Sequence, residues 1–158
     1  MEDEKLYKKA HGRIQLNSSL IAIAIGTFFL TINLKPTLLL RPIVLLQLVI
    51  AIPCLLTSTL SYVKVGYRDQ VRKWDILGWL TFMVGYALIL DVVGILIKDV
   101  SGSIVSIIFF LCSWLLALMY SFVDISYSRA VVKERILKDS LFILIQLIFG
   151  VFVVLGII

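Results

Sequence analysis

ILGWLTFMVGYALILDVVGILI, residues 76–97, contains a single acidic or basic side chain, Asp91. Crossing the hydrocarbon core of a bilayer takes about 20 mostly apolar residues in α-helix. A buried strand is far shorter, about 4–8 residues, and the helix of a soluble domain carries a polar face. The stretch therefore reads as a transmembrane helix.

Working outward, residues 104–125 and 37–63 are apolar runs of the same kind, and 14–34 and 141–158 are two more. The run 37–63 is long enough to tilt, and 141–158 is the shortest. A membrane β-barrel needs apolar and polar residues to alternate along ~10-residue segments. These runs are nearly continuous in apolar residues, as in 44–56, and helices satisfy their own backbone groups where lipid cannot. The expectation is an all-α, polytopic bundle of five spans forming one integral membrane domain over 1–158. The first run exceeds the ~7–15 residues of a signal-peptide core, and Ile32-Asn33-Leu34-Lys35-Pro36 lacks a small-x-small cleavage pattern; Ala22-Ile23-Ala24 fits that spacing but lies in the middle of the run, so the run reads as a retained helix.

The whole chain agrees with this reading. Of its 158 residues, 61% are hydrophobic and 16% charged, with a mean hydropathy of +1.06. Soluble domains hold about 45–50% apolar and about 25% charged residues. A chain this small has too little interior to hide the excess.

The net charge of +5 is explained by position. Lys5, Lys8, Lys9 and Arg13 lie in the N-terminal tail, Lys64, Arg68, Arg72 and Lys73 between the second and third runs, and Arg129, Lys133, Arg135 and Lys138 between the fourth and fifth. With five spans these twelve share one side, and only Lys35, Arg41 and Lys98 fall on the other. Basic residues accumulate on the cytoplasmic side. The asymmetry predicts a cytoplasmic N-terminus, an outer C-terminus and residence in the plasma (cytoplasmic) membrane. It gives no support to a nucleic-acid partner; the bilayer is the partner expected. Tyr62, Tyr67, Trp74, Trp79, Tyr120 and Tyr127 lie toward the basic side, as an interfacial aromatic belt would.

Asp91 is the candidate for chemistry. It stands seven positions before Lys98, about 10 Å below the outer boundary at ~1.5 Å per residue. An ionised carboxylate there costs about 2.5 kcal/mol or more. Ala87 and Gly94 share its helix face, so that face should meet protein or a cavity. Two readings compete, an ion or proton site and a structural carboxylate. Arg41 is the natural candidate counter-ion, unless its long side chain snorkels outward. In the second run Gln47, Ala51, Cys54, Ser58 and Ser61 follow one face, with Pro53 interrupting the ladder. That stripe fits either a hydrated path or a close helix–helix contact. Ser18, Ala22 and Gly26, Thr81 and Gly85, and Ser113, Ala117 and Ser121 repeat the small-residue spacing of tightly packed or oligomeric bundles. Asn17, Ser18, Ser19, Gln146 and Asp124 read as interhelical, capping or interfacial groups.

His11 is the only histidine, and Cys54 and Cys112 are far apart within apolar runs. No cofactor, metal site or catalytic set is therefore expected. There is no phosphate loop and no nucleophile elbow. Residues 13–19 share an Arg and a Ser with the Arg-x-x-x-Phe-Ser-Asp opening of some prokaryotic potassium channels, but lack its Phe and Asp. They assign no family. The site expected is Asp91, Arg41, Gln47, Cys54, Ser58 and Ser61. The function expected is passage of an ion or small solute through a membrane protein. The alternative is a non-conducting accessory, assembly or signalling subunit. A homo-oligomer suits the first and a membrane protein partner the second.

Overall fold

Backbone groups in lipid have no hydrogen-bond partners except one another, and this chain meets that demand with helices. The computed structural model describes residues 2–34, 42–65, 71–127 and 132–157. Helix α1 is Glu2–Leu34, α2 is Pro42–Val65, α3 is Val71–Ser101, α4 is Ser103–Tyr127 and α5 is Val132–Gln146. Helix α5 continues through a π-helical turn, Leu147–Val151, into a last α-turn, Phe152–Leu155. Among the described residues, four helices are long and apolar enough to cross a membrane: Pro42–Val65, Val71–Ser101, Ser103–Val123 and Arg135–Leu155. This is the architecture of a multi-pass integral membrane protein. The run 14–34 lies within α1, a 33-residue helix that also carries the charged N-terminal tail and Asn17, Ser18 and Ser19. Lys35, Pro36, Arg41, Tyr67, Arg68 and Arg129 lie outside the described residues.

The helices overrun the apolar runs wherever the flanking residues are good helix formers. α3 begins in the charged Val71-Arg72-Lys73 segment, and α5 takes in Arg135, Lys138 and Asp139. Lys, Arg, Glu and Leu lose little side-chain freedom in a helix, so a helix started in lipid extends through them. The fifth run thereby gains a 21-residue span.

The chain forms two compact units, residues 1–89 and 90–158. In the first, α1 packs along α2. The buried face of α2 comprises Val44, Gln47, Leu48, Ala51, Leu55, Ser58, Ser61 and Tyr62. The amide of Asn17 on α1 donates to Ser58 Oγ at 2.9 Å, and Ser58 in turn donates to the Gly78 carbonyl of α3 at 2.7 Å. That relay fixes the rotation of α1. Asn17, Leu20 and Ala24 turn inward, while Ser18, Ala22 and Gly26, expected as the packed stripe, are exposed. A buried amide needs a partner more than a small residue needs a close neighbour. α3 approaches α2 closely at Gly85, where an added methyl would lie 2.8 Å from Leu55 Cγ and 3.1 Å from the Ala51 carbonyl oxygen. Tyr62 is also buried, its ring lying over the slot left by Gly78. It belongs to the core and not to an interfacial belt.

In the second unit one residue, Gly102, separates α3 from α4. Its φ of +91° lies in the left-handed region, and its N–H donates to the Lys98 carbonyl at 2.8 Å, closing the helix end. α4 and α5 are joined by Ser113 Oγ to Gln146 Oε1 at 3.1 Å and by Ser121 Oγ to Asp139 Oδ1 at 2.8 Å. The Arg135 guanidinium lies over the Tyr120 ring, 5.4 Å from its centre.

Candidate functional site

Asp91 belongs to the second unit, on the part of α3 that precedes the Gly102 turn, and it is 0% exposed. Neither carboxyl oxygen has a hydrogen-bond partner among the described residues. Buried polar groups are nearly always partnered, and leaving one without a partner costs about 1–3 kcal/mol.

Two glycines and a phenylalanine shape its surroundings. Phe110 on α4 is fully buried. A methyl added to Gly94 would fall within the Phe110 ring atoms. One added to Gly150 would lie 2.5 Å from Asp91 Oδ1 and 2.6 Å from Phe110 Cζ. The tip of the ring therefore occupies the space that both glycines leave, beside the carboxyl. The Gly94 carbonyl is already engaged, accepting from Ser106 Oγ at 2.7 Å.

Gly150 lies in the π-helical turn. There the ladder lengthens by one residue, the Phe152 N–H bonding to the Leu147 carbonyl. π-turns are rare and occur often at functional sites. Gln146, immediately before this turn, is fully buried. Its Oε1 accepts from Ser113, while its buried Nε2 has no partner among the described residues. Beyond the turn, Lys98 Nζ approaches the Val153 carbonyl at 3.4 Å.

The expected site residues are distributed unequally. Gln47, Cys54, Ser58 and Ser61 are in the first unit, Asp91 is in the second, and Arg41 lies outside the described residues. Gln47, Ser58 and Ser61 are buried and Cys54 is half-buried. Ser58 serves the Asn17–Gly78 relay, and Ser61 donates to the Thr57 carbonyl of its own helix at 2.8 Å. The Ser58 bonds are helix–helix contacts, whereas the Ser61 bond stays within its own helix.

Gly150 and Phe110 were not singled out in the sequence. Gly150 had a signal, because a glycine inside an apolar helix costs ~1 kcal/mol relative to Ala and so implies a packing reason. Phe110 had none, being one of several aromatic residues in α4. No family model, characterised protein or solved structure matches the chain.

Proposed function

We propose that this is a small membrane protein that conducts or transports an ion or small solute, working as an oligomer in the plasma membrane. The observation that carries the reading is Asp91, a carboxyl fully buried in a membrane-spanning helix, beside a π-turn, with no hydrogen bond to either oxygen from the described residues. Such groups are expensive in lipid and mark ion and proton pathways. The proposal includes five spans, with α1 the first, a cytoplasmic N-terminus and an outer C-terminus. It is supported by the twelve-to-three division of Lys and Arg.

The test is flux of protons, sodium and potassium in liposomes containing the purified protein. Wild type should exceed empty vesicles, and Asp91→Asn should fall to their level. Wild-type flux equal to that of empty vesicles, or equal in the variant, counts against the reading.

A second reading, a non-conducting subunit of a larger membrane complex, is favoured by the breadth of the exposed apolar face of α4. That face includes Ile104, Ile108, Leu111, Leu115, Leu118 and Phe122. Purification from native membranes in mild detergent separates the two. A stoichiometric second protein supports this reading, and a homo-oligomer alone supports transport.

A further inference from the structure

We propose that Asp91 is a reversible protonation site and that the ion it takes is the proton rather than a metal cation. This deepens the transport reading and depends on it only for the flux measurements below.

Hard cations are held by about six or more oxygens. The structure places hydrocarbon and glycine backbone beside this carboxyl: the Phe110 ring, and Gly150 in the π-turn. The Gly94 carbonyl, one turn along α3, already accepts from Ser106. Among the described residues, no group of three or more His, Cys, Asp or Glu could hold a metal ion. A proton needs one oxygen, and Asp91 offers two without partners.

The barrier to entry has the right scale as well. The tip of the Phe110 ring fills the gap left by Gly94 and Gly150, so on that side of the carboxyl a hydrated cation meets a buried aromatic side chain. A proton can be passed by a single water molecule, which takes it from the carboxyl as hydronium and leaves the carboxylate. The Gln146 amide, one helical turn before Gly150, is a second fully buried group with an unused capacity, here a donor. The unit thus holds free acceptors on Asp91 and a free donor on Gln146.

Among the described residues of this unit, no charge adjoins the carboxyl to fix its protonation state. On α4, residues 103–119 contain one titratable group, Cys112, which is exposed. Residues 140–157 of the last helix contain none. On the same helix the nearest are Tyr86, five residues before Asp91, and Lys98 and Asp99, about two turns after it, with Lys98 directed to the Val153 carbonyl.

A carbodiimide reads this directly, because it reacts with the protonated carboxyl. The carboxyl oxygen bonds to the central carbon, the acid proton moves to nitrogen, and the acyl group then shifts from oxygen to nitrogen. The product is a stable N-acylurea that retains every atom of both reactants. Full-length protein in liposomes is treated with lipid-soluble dicyclohexylcarbodiimide or with a water-soluble carbodiimide, and the adduct is located by peptide mass spectrometry. Asp91 should be modified by the lipid-soluble reagent and spared by the water-soluble one. Labelling should fall by about tenfold per pH unit above its midpoint. Phe110→Ala should accelerate labelling by removing the plug, and sodium or potassium should not protect. Absence of an Asp91 adduct at every pH, or protection by either cation, overturns the proposal. Parallel flux measurements separate the two claims. Passage of sodium or potassium without protons overturns the proton assignment and leaves transport standing. An Asp91 adduct without flux of any ion retains the protonation site and removes the transport reading.

Discussion

Gly150→Ala is the perturbation whose outcome follows most directly from the geometry. The added methyl would lie 2.6 Å from Phe110 Cζ and 2.5 Å from Asp91 Oδ1. Carbon atoms are comfortable at about 3.5–4.0 Å, so the methyl comes roughly 1 Å too close to the ring. Overpacking of this kind costs about 1–3 kcal/mol, and two neighbours squeezed by one methyl argue for the upper half of that range. Against it stands the gain from replacing glycine by alanine inside a helix, about 0.5–1 kcal/mol. The net expectation is a loss of about 1–2 kcal/mol. Gly26→Ala is the control, because nothing lies within 4 Å of a methyl at that site. It should gain the helix term alone. Reversible unfolding in mixed dodecyl maltoside and SDS micelles, followed by helical circular dichroism, measures both. Adding Phe110→Leu to Gly150→Ala should return part of the loss, a coupling that a double-mutant cycle isolates. If Gly150→Ala behaves like Gly26→Ala, or shows no coupling to Phe110, the packing of Phe110 and Asp91 against the π-turn is wrong.

The same unfolding assay checks three further expectations. Ser58→Ala removes the acceptor for the Asn17 amide and the donor to the Gly78 carbonyl, and should cost about 1–3 kcal/mol. Gly102→Ala forces a side chain into the left-handed backbone of the α3–α4 turn, and should cost about 1–2 kcal/mol although nothing crowds the new methyl. Asp91→Asn should stay within about 1 kcal/mol of wild type, since no hydrogen bond is lost, while abolishing flux and carbodiimide labelling. A carboxylate retained only for structure would give the reverse, a large loss of stability with function intact.

The helices were legible because apolar runs in lipid have few alternatives. Residues 76–97 needed no partner to be read as helical. Helix ends were less legible. Sequence reading stops a span where charge begins, whereas the helix continues through residues such as Arg72 and Lys138 because their side chains accept it. Rotation of α1 was not legible, because the spacing of Ser18, Ala22 and Gly26 looks as good as that of Asn17, Leu20 and Ala24. Only the position of Ser58 on another helix decides between them. Asp91 stood out because it is an exception among apolar residues. Its neighbours did not, since the π-turn at Leu147–Val151 leaves no mark in composition and a phenylalanine in an apolar helix is ordinary.

The role of Asp91 depends on these apolar helices lying in a bilayer, which nitroxide scanning of α4 from 103 to 123 in liposomes reads out. Collisions with oxygen report lipid, and collisions with a water-soluble nickel chelate report water. Labels at the exposed positions Leu111, Leu115 and Leu118 should favour oxygen, with protected minima at Ser106 and Phe110, which are buried. Nickel access at Leu111, Leu115 and Leu118 would place that face in water and contradict the membrane-spanning fold from which the role of Asp91 is inferred.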